Sequence, residues 1–227
     1  PGIGSGPRAA LFSLPARALT IFPAQATIFM ASIEYMRCLR MSDLYYPLKV
    51  AGLTRQLPLC PISDDMMIGA FVIFGDTELT MACARELNKL VPEHGVMITA
   101  ESKGIPLICE MARLAGEKRY LLARKSPKLY MRNVFSTEVR SITTGHRQVL
   151  CLDGDDAEYM KGKRVVIVDD VISTGESLRA LETLVEHAGG QIVGRMAILA
   201  EGEPADREDI IYLEKLPLFK SDGTPIA

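Results

Sequence analysis

The chain has 227 residues, 48% of them apolar, with a formal net charge of −2. That length suits one α/β domain with a modest appendage, and so balanced a charge gives no basis for a nucleic-acid footprint. The apolar stretch from Leu19 to Ala31 is broken by Pro23 and is too short for a membrane span. In chain order, residues 1–40 hold Arg8, Arg17, Arg37 and Arg40 against a single acid, Glu34, with scattered Pro and Gly. This segment reads as an extension outside the fold, disordered or foreign to the natural domain. A transit peptide and an upstream translated leader both remain open, with Met30 or Met41 as a natural start. Tyr45 to Leu53 is a short strand, and Leu57 to Ile62 a second strand or a loop. Asp64 to Phe74 is apolar and reads as helical, with a break at Gly75-Asp76. Thr77 to Leu90 has helical periodicity, with Leu79, Ala82, Cys83, Leu87 and Leu90 on one side. Val96 to Thr99 is a strand, Ile105 to Leu114 a helix and Tyr120 to Ala123 a strand.

The polar, weakly periodic stretch Tyr130 to His146 follows, and a loop of that size in a compact domain is usually a lid. Gln148 to Leu152 is a strand. Val165 to Val168, four apolar and mostly β-branched residues, form a buried parallel strand. A helix over Leu178 to His187 is stopped by Gly189-Gly190, and Gln191 to Leu199 is a further strand before short closing elements. The alternation predicts an α/β fold with a mostly parallel sheet flanked by helices. Cys38, Cys60, Cys83, Cys109 and Cys151 are scattered without metal-ligand spacing. Four of them lie in apolar runs and read as small core residues, with a reducing cytoplasm as the natural compartment.

Three strand ends carry the chemistry. After Val165–Val168 stand Asp169 and Asp170, then Val171-Ile172, then Ser173, Thr174, Gly175, Glu176 and Ser177, opening a helix. Hydroxyls and backbone N–H groups at a helix start can surround a phosphate without any lysine. Two acids one step earlier suit sugar hydroxyls or a hydrated metal, and without a ligand they would be costly at a buried strand end. After Val96–Thr99, the turn Glu101, Ser102, Lys103, Gly104 offers a close backbone approach and one cation to a pyrophosphate. After Tyr120–Ala123, Arg124, Lys125 and Lys128 put three cations on the same side. A Walker loop and a dinucleotide fingerprint are both absent.

The run of apolar strand, paired acids, two apolar residues and Ser-Thr-Gly closely resembles the phosphoribosyl-pyrophosphate signature of type I phosphoribosyltransferases. The turn at Glu101–Gly104 and the segment Arg124–Leu129 resemble the purine branch of that family, that of adenine and xanthine. The resemblance implies a Mg²⁺-dependent enzyme of the cytoplasm, a homodimer, joining phosphoribosyl pyrophosphate to a purine through an oxocarbenium-like transition state. Asp169 and Asp170 would meet the ribose hydroxyls and hold the metal through its waters. Residues Ser173 to Ser177 would wrap the 5-phosphate. Glu101, Ser102, Lys103, Gly104, Arg124, Lys125 and Lys128 would hold pyrophosphate, with a non-proline cis peptide at Glu101–Ser102. Phe135-Ser136-Thr137-Glu138 is similar to an aromatic-Ser-x-Glu segment of the adenine enzymes, making Glu138 the proton-handling group. Residues of about 45–65 and the C-terminal segment would form a hood over the base within a single domain, 41–227.

Two departures stand out. Lys103 replaces an arginine, keeping charge but losing the bidentate fork. Glu176 stands where a small residue is common and is expected to point outward. The stretch Ile198 to Gly202 lacks the lysine with which oxopurine enzymes meet the ring oxygen. Glu201 there can only accept when ionised, which tilts the base towards adenine. A xanthine or hypoxanthine enzyme remains open. So does a non-catalytic regulator that binds phosphoribosyl pyrophosphate.

Overall fold

The computed structural model of the protein describes residues 44–140 and 147–226, so the extension expected over 1–40 lies outside the described residues. Three short strands come first: β1 (Tyr45–Val50), β2 (Leu53–Pro61) and β3 (Met66–Gly69). Then follow α1 (Thr77–Asn88), β4 (Val96–Ala100), α2 (Ile105–Ala115) and β5 (Leu121–Ala123). The middle of the chain holds β6 (Phe135–Arg140), β7 (Arg147–Leu152), α3 (Gly154–Met160) and β8 (Arg164–Ile172). The chain closes with α4 (Glu176–His187), β9 (Gln191–Glu201), β10 (Ile211–Leu216), β11 (Leu218–Lys220) and β12 (Pro225–Ile226).

The central sheet has strand order β10-β9-β8-β4-β5, and every neighbouring pair is parallel. Its middle strand shows why the run Val165–Val168 is apolar throughout. Val165 and Ile167 pack with Leu178, Leu181 and Leu184 of α4. Val166 and Val168 pack on the opposite face with Leu79 and Leu87 of α1 and Leu107 and Met111 of α2. A parallel sheet covered on both faces needs apolar side chains at both phases of the strand. The strand is longer than expected, because Asp169 still pairs with Ala197 and Ile172 with Ala200. The acids therefore belong to the last rungs of the ladder.

A second, antiparallel sheet has the order β1-β2-β3-β11-β12. Leu48, Val50 and Leu57 join the core beneath the central sheet, while Leu59, Met67 and Phe219 form a satellite cluster with Tyr46. The helix expected over Asp64–Phe74 is absent, and β3 with an extended run takes its place. Phe71 and Ile73 are 5% and 0% exposed while Val72 and Phe74 are 59% and 49% exposed, the period of extended chain and not of helix. Leu90, expected on the inner face of α1, lies beyond its end and is exposed.

Within the stretch Tyr130–His146 expected as a loop, residues 135–140 form a strand. β6 pairs antiparallel with β7 from Phe135↔Leu152 to Arg140↔Arg147, and residues 141–146 lie outside the described residues. The hairpin continues the edge of the central sheet, since Arg124 and Cys151 exchange backbone hydrogen bonds of 2.8 and 2.9 Å. Only one of its faces is apolar, so the sequence looks polar overall. The helix α3 was not expected. Asp153 caps it, accepting from the Asp155 N–H, and Asp155 and Asp156 lie in its first turn, which is a readable start signal. Among the described residues, no helix is long and apolar enough to cross a membrane. Cys83 and Cys151 are buried as expected, whereas Cys109 is exposed.

Candidate active site

The carboxyl ends of β4, β5 and β8 converge on a cavity of about 230 Å³. Glu101, Ser102 and Lys103 line it from β4, Lys125 from β5, and Asp169, Asp170, Ser173 and Ser177 from β8 and its loop. A second, open pocket of about 40 Å³ is lined by Asp169, Ser173, Thr174, Gly175 and Ser177 among others. Of the residues singled out in the sequence, these are the ones the fold gathers.

The acids are adjacent but differently held. Asp170 is 2% exposed, and Lys103 Nζ lies 3.0 Å from its Oδ2. The approach is within ion-pair distance but off the hydrogen-bonding direction, so this buried oxygen has no directed donor. Asp169 accepts the Asp170 N–H at 2.9 Å. Its carboxyl is raised well above the usual range, first by burial and then by the neighbouring Asp170 charge, with Lys103 opposing. Desolvation and like charge act together here. A buried carboxylate oxygen without a donor suits a hydrated cation or a sugar hydroxyl. Among the described residues no group of three or more His, Cys, Asp or Glu surrounds one point. A Mg²⁺ ion held by Asp169 and Asp170 would therefore complete its shell with water or ligand oxygens, the usual habit of that ion.

Local sequence explains the anion-binding character of the two flanking loops. Asp76 and Asp153 cap α1 and α3 through their side chains. α2 and α4 start at Gly104 and Gly175, neither of which offers a side-chain cap. Neither cap residue of the two helices that open on the cavity competes with a phosphate for the first-turn N–H groups; at α4 the Glu176 N–H reaches only the Thr174 hydroxyl, at a long 3.4 Å. Gly104 has a further reason. A Cβ there would lie 2.2 Å from Thr99 Oγ1 and 3.2 Å from Asp169 Oδ1. Only glycine lets the turn close against the acid-bearing strand. The Glu101–Ser102 peptide is cis, at the position expected.

Glu101 lines the cavity but is itself held by the second basic turn, whereas Arg124, Lys128, Glu176 and Glu138 do not line it. Glu101 takes the Lys125 N–H at 3.0 Å and the Arg124 guanidinium at 3.2 Å, and these contacts hold its carboxyl below the usual range. It joins the first basic turn to the second. Arg124 is spent on Glu101 and on the Tyr130 hydroxyl, 2.9 Å away, and does not line the cavity. Lys128 donates to Ser126 Oγ at 3.1 Å and also stands back. Glu176 begins α4 and lines neither pocket; an acid in the first helical turn complements the helix dipole. Glu138 is exposed on β6. The neighbouring Thr137 is buried, with Oγ1 3.3 Å from His187 Nδ1 of α4. The alternation turns Glu138 to the other face of the hairpin, and it does not line the cavity. Glu201, at the end of β9, is buried, and burial raises its carboxyl pKa against the opposing charge of Lys103.

A family model described as phosphoribosyl transferase domain matches residues 81–217. The chain is 30% identical over 160 residues to a xanthine phosphoribosyltransferase of Lactobacillus delbrueckii subsp. bulgaricus, covering 66% of this chain and 83% of that protein. It is 29% identical over 143 residues to an adenine phosphoribosyltransferase of Acetivibrio thermocellus, covering 62% and 80% respectively. The crystal structure of an adenine phosphoribosyltransferase from Thermoanaerobacter pseudethanolicus superposes with a TM-score of 0.55. At 22% identity over 79% of this chain and 98% of that one, this is a likeness of fold.

Proposed function

The chain belongs to the phosphoribosyl transferase domain family, and from that premise we propose that it transfers a 5-phosphoribosyl group from phosphoribosyl pyrophosphate to a purine, adenine, with Mg²⁺. The observation that carries this reading is the convergence of an acid pair, a hydroxyl-rich loop and two lysines on one cavity. The small pocket at Ser173, Thr174, Gly175 and Ser177 takes the 5-phosphate, while Glu176 opens the helix behind it. Asp169 and Asp170 accept from the ribose hydroxyls and favour the positive charge that grows on the sugar as the glycosidic bond stretches. Lys103 and Lys125 balance the negative charge that gathers on the departing pyrophosphate. Ser102 and the turn ending at Gly104 hold it, and Glu101, Arg124 and Lys128 fix the basic segment in place. Asp169 and Asp170 would hold Mg²⁺ through its waters, and the ion would supply positive charge beside the leaving group.

The antiparallel sheet serves as the hood over the base, and residues 41–227 act as one domain. Glu138 handles the purine proton when the β6–β7 hairpin folds over the bound substrates, which keeps water from the cationic sugar. The enzyme works as a homodimer in the cytoplasm. The missing lysine between Ile198 and Gly202 favours adenine, whereas the identity to the Lactobacillus enzyme supports xanthine as the second reading. The test is pyrophosphate release with adenine, hypoxanthine, xanthine, guanine and orotate, with and without Mg²⁺. Release that requires both a purine and Mg²⁺, and is fastest with adenine, is expected. No release with any base sinks the reading.

A further inference from the structure

The carboxyl edge of the sheet carries a third buried acid that this reaction leaves unused. Glu201 is 9% exposed, its backbone is held in the β9–β10 ladder, and among the described residues no protein group makes a hydrogen bond or ion pair with its carboxylate. A largely buried carboxylate without a protein donor is partly desolvated, and a ligand N–H relieves that cost. Its position says which part of a ligand it meets. On one side, the preceding residue Ala200 pairs with Ile172, next to Ser173 of the phosphate loop. On the other, Glu201 itself pairs with Leu216 of β10. Leu216 in turn packs beneath the antiparallel sheet, where a Cβ on Gly69 would lie 3.4 Å from both the Leu216 and Leu57 side chains. Glu201 therefore lies between the sugar-phosphate edge and the antiparallel sheet. Lys103, which touches Asp170, is the cation that acts on its charge.

We propose that Glu201 is the specificity-determining residue for the base, accepting an N–H from the exocyclic 6-amino group of an aminopurine and repelling the oxygen of a 6-oxopurine. The assignment rests on the phosphoribosyl-transfer reading above and adds the residue that chooses the ring. The next position cannot supply a compensating cation without strain. Gly202 has φ 67° and ψ −140°, a conformation open to glycine and hostile to lysine.

The test uses the intact chain with Glu201→Gln and Glu201→Leu. The specificity constants for adenine and hypoxanthine are measured by pyrophosphate release, and phosphoribosyl-pyrophosphate affinity by calorimetry. Glu201→Leu should lower kcat/KM for adenine by about 30-fold, the effect of leaving a ligand donor unpaired. Glu201→Gln keeps an acceptor and gains a donor, so adenine should survive within about tenfold while hypoxanthine rises by about tenfold. Phosphoribosyl-pyrophosphate affinity should stay at the wild-type value in both. The ratio of the two specificity constants does not depend on how much of a variant is folded. Transfer that persists with an unmoved ratio overturns the assignment, as does a wild-type enzyme that prefers 6-oxopurines. Absence of transfer to every base overturns the underlying reaction instead.

Discussion

Asp169 and Asp170 are neighbours in sequence with opposite circumstances. Asp170 is answered by Lys103 at 3.0 Å, while Asp169 has its carboxyl raised by burial and by its neighbour's charge. Replacing both with Asn should leave the fold intact and cut turnover by at least about 100-fold, the scale of lost electrostatic stabilisation. Near-normal steady-state turnover in the double variant removes the pair from the mechanism. Asp169 also makes a stability prediction. A carboxyl whose folded pKa exceeds its unfolded value holds its proton more tightly in the native state. Stability then falls as pH rises from the unfolded pKa through the folded one, and stays low above it. Asp169→Asn abolishes this term. In metal-free buffer it should raise the melting temperature at pH 8 and have much less effect at pH 4; an equal shift at both pH values contradicts the burial argument. Glu101 illustrates a different role, since it lines the cavity and organises the cations beside it. Glu101→Ala should weaken phosphoribosyl-pyrophosphate binding by about tenfold in calorimetry, through loss of charge-assisted hydrogen bonds to Lys125 and Arg124.

At the scale of elements, function sits where helices begin without side-chain caps and where one turn closes tightly on another strand. Gly104→Ala keeps an allowed backbone, because Gly104 already has helical φ and ψ of −69° and −13°. The added methyl meets Thr99 Oγ1 at 2.2 Å, inside the fully buried end of β4. Overpacking of this kind costs about 1–3 kcal/mol. Denaturant melts should show that loss in Gly104→Ala and recover most of it when Thr99→Ala is added; no recovery would place the strain elsewhere. The β6–β7 hairpin gives the second test. Glu138 projects from the face opposite the buried Thr137, so its proposed role depends on movement of the hairpin over the base. Glu138→Gln should lower turnover by about 100-fold, at the modest end for proton transfer, and leave sugar-phosphate affinity unchanged. A parallel fall in affinity moves Glu138 into the binding site, and no change in either passes its role to another group.

Across the whole molecule, two sheets of different construction share one core. Leu48, Val50 and Leu57 of the antiparallel sheet are buried with Leu79, Leu87 and Leu216 of the α/β layer. A charged clamp reinforces the junction. Arg55 of β2 binds both oxygens of Asp76, at 2.6 and 3.1 Å, and Glu78 at 2.7 Å. Asp76 meanwhile caps α1 by accepting the Leu79 N–H. The clamp fixes the proposed hood to the helix layer, away from the phosphate loops. Arg55→Met should lower the melting temperature and raise KM for the base, with phosphoribosyl-pyrophosphate affinity at its wild-type value. A matched loss of both affinities would mean that the clamp supports the entire core.

The central strand, its acids, the Ser-Thr-Gly loop and both basic turns were legible from the sequence alone. Their signal is local: β-branched runs, adjacent charges and glycine at helix starts each act within a few residues. Long-range pairing escaped that reading. β3 looked helical because its partners in β2 and β11 are distant in the chain, and β6 looked like loop because only one of its faces is buried. The turn of Arg124 towards Glu101 and Tyr130, the ion pair of Lys103 with Asp170 and the burial of Glu201 arise from the meeting of separate strand ends. Residue type and spacing determined which chemical groups this protein can bring to a site. Tertiary packing decided which of them face the cavity, because burial and neighbouring charge are properties of the assembled sheet edge and not of any single segment.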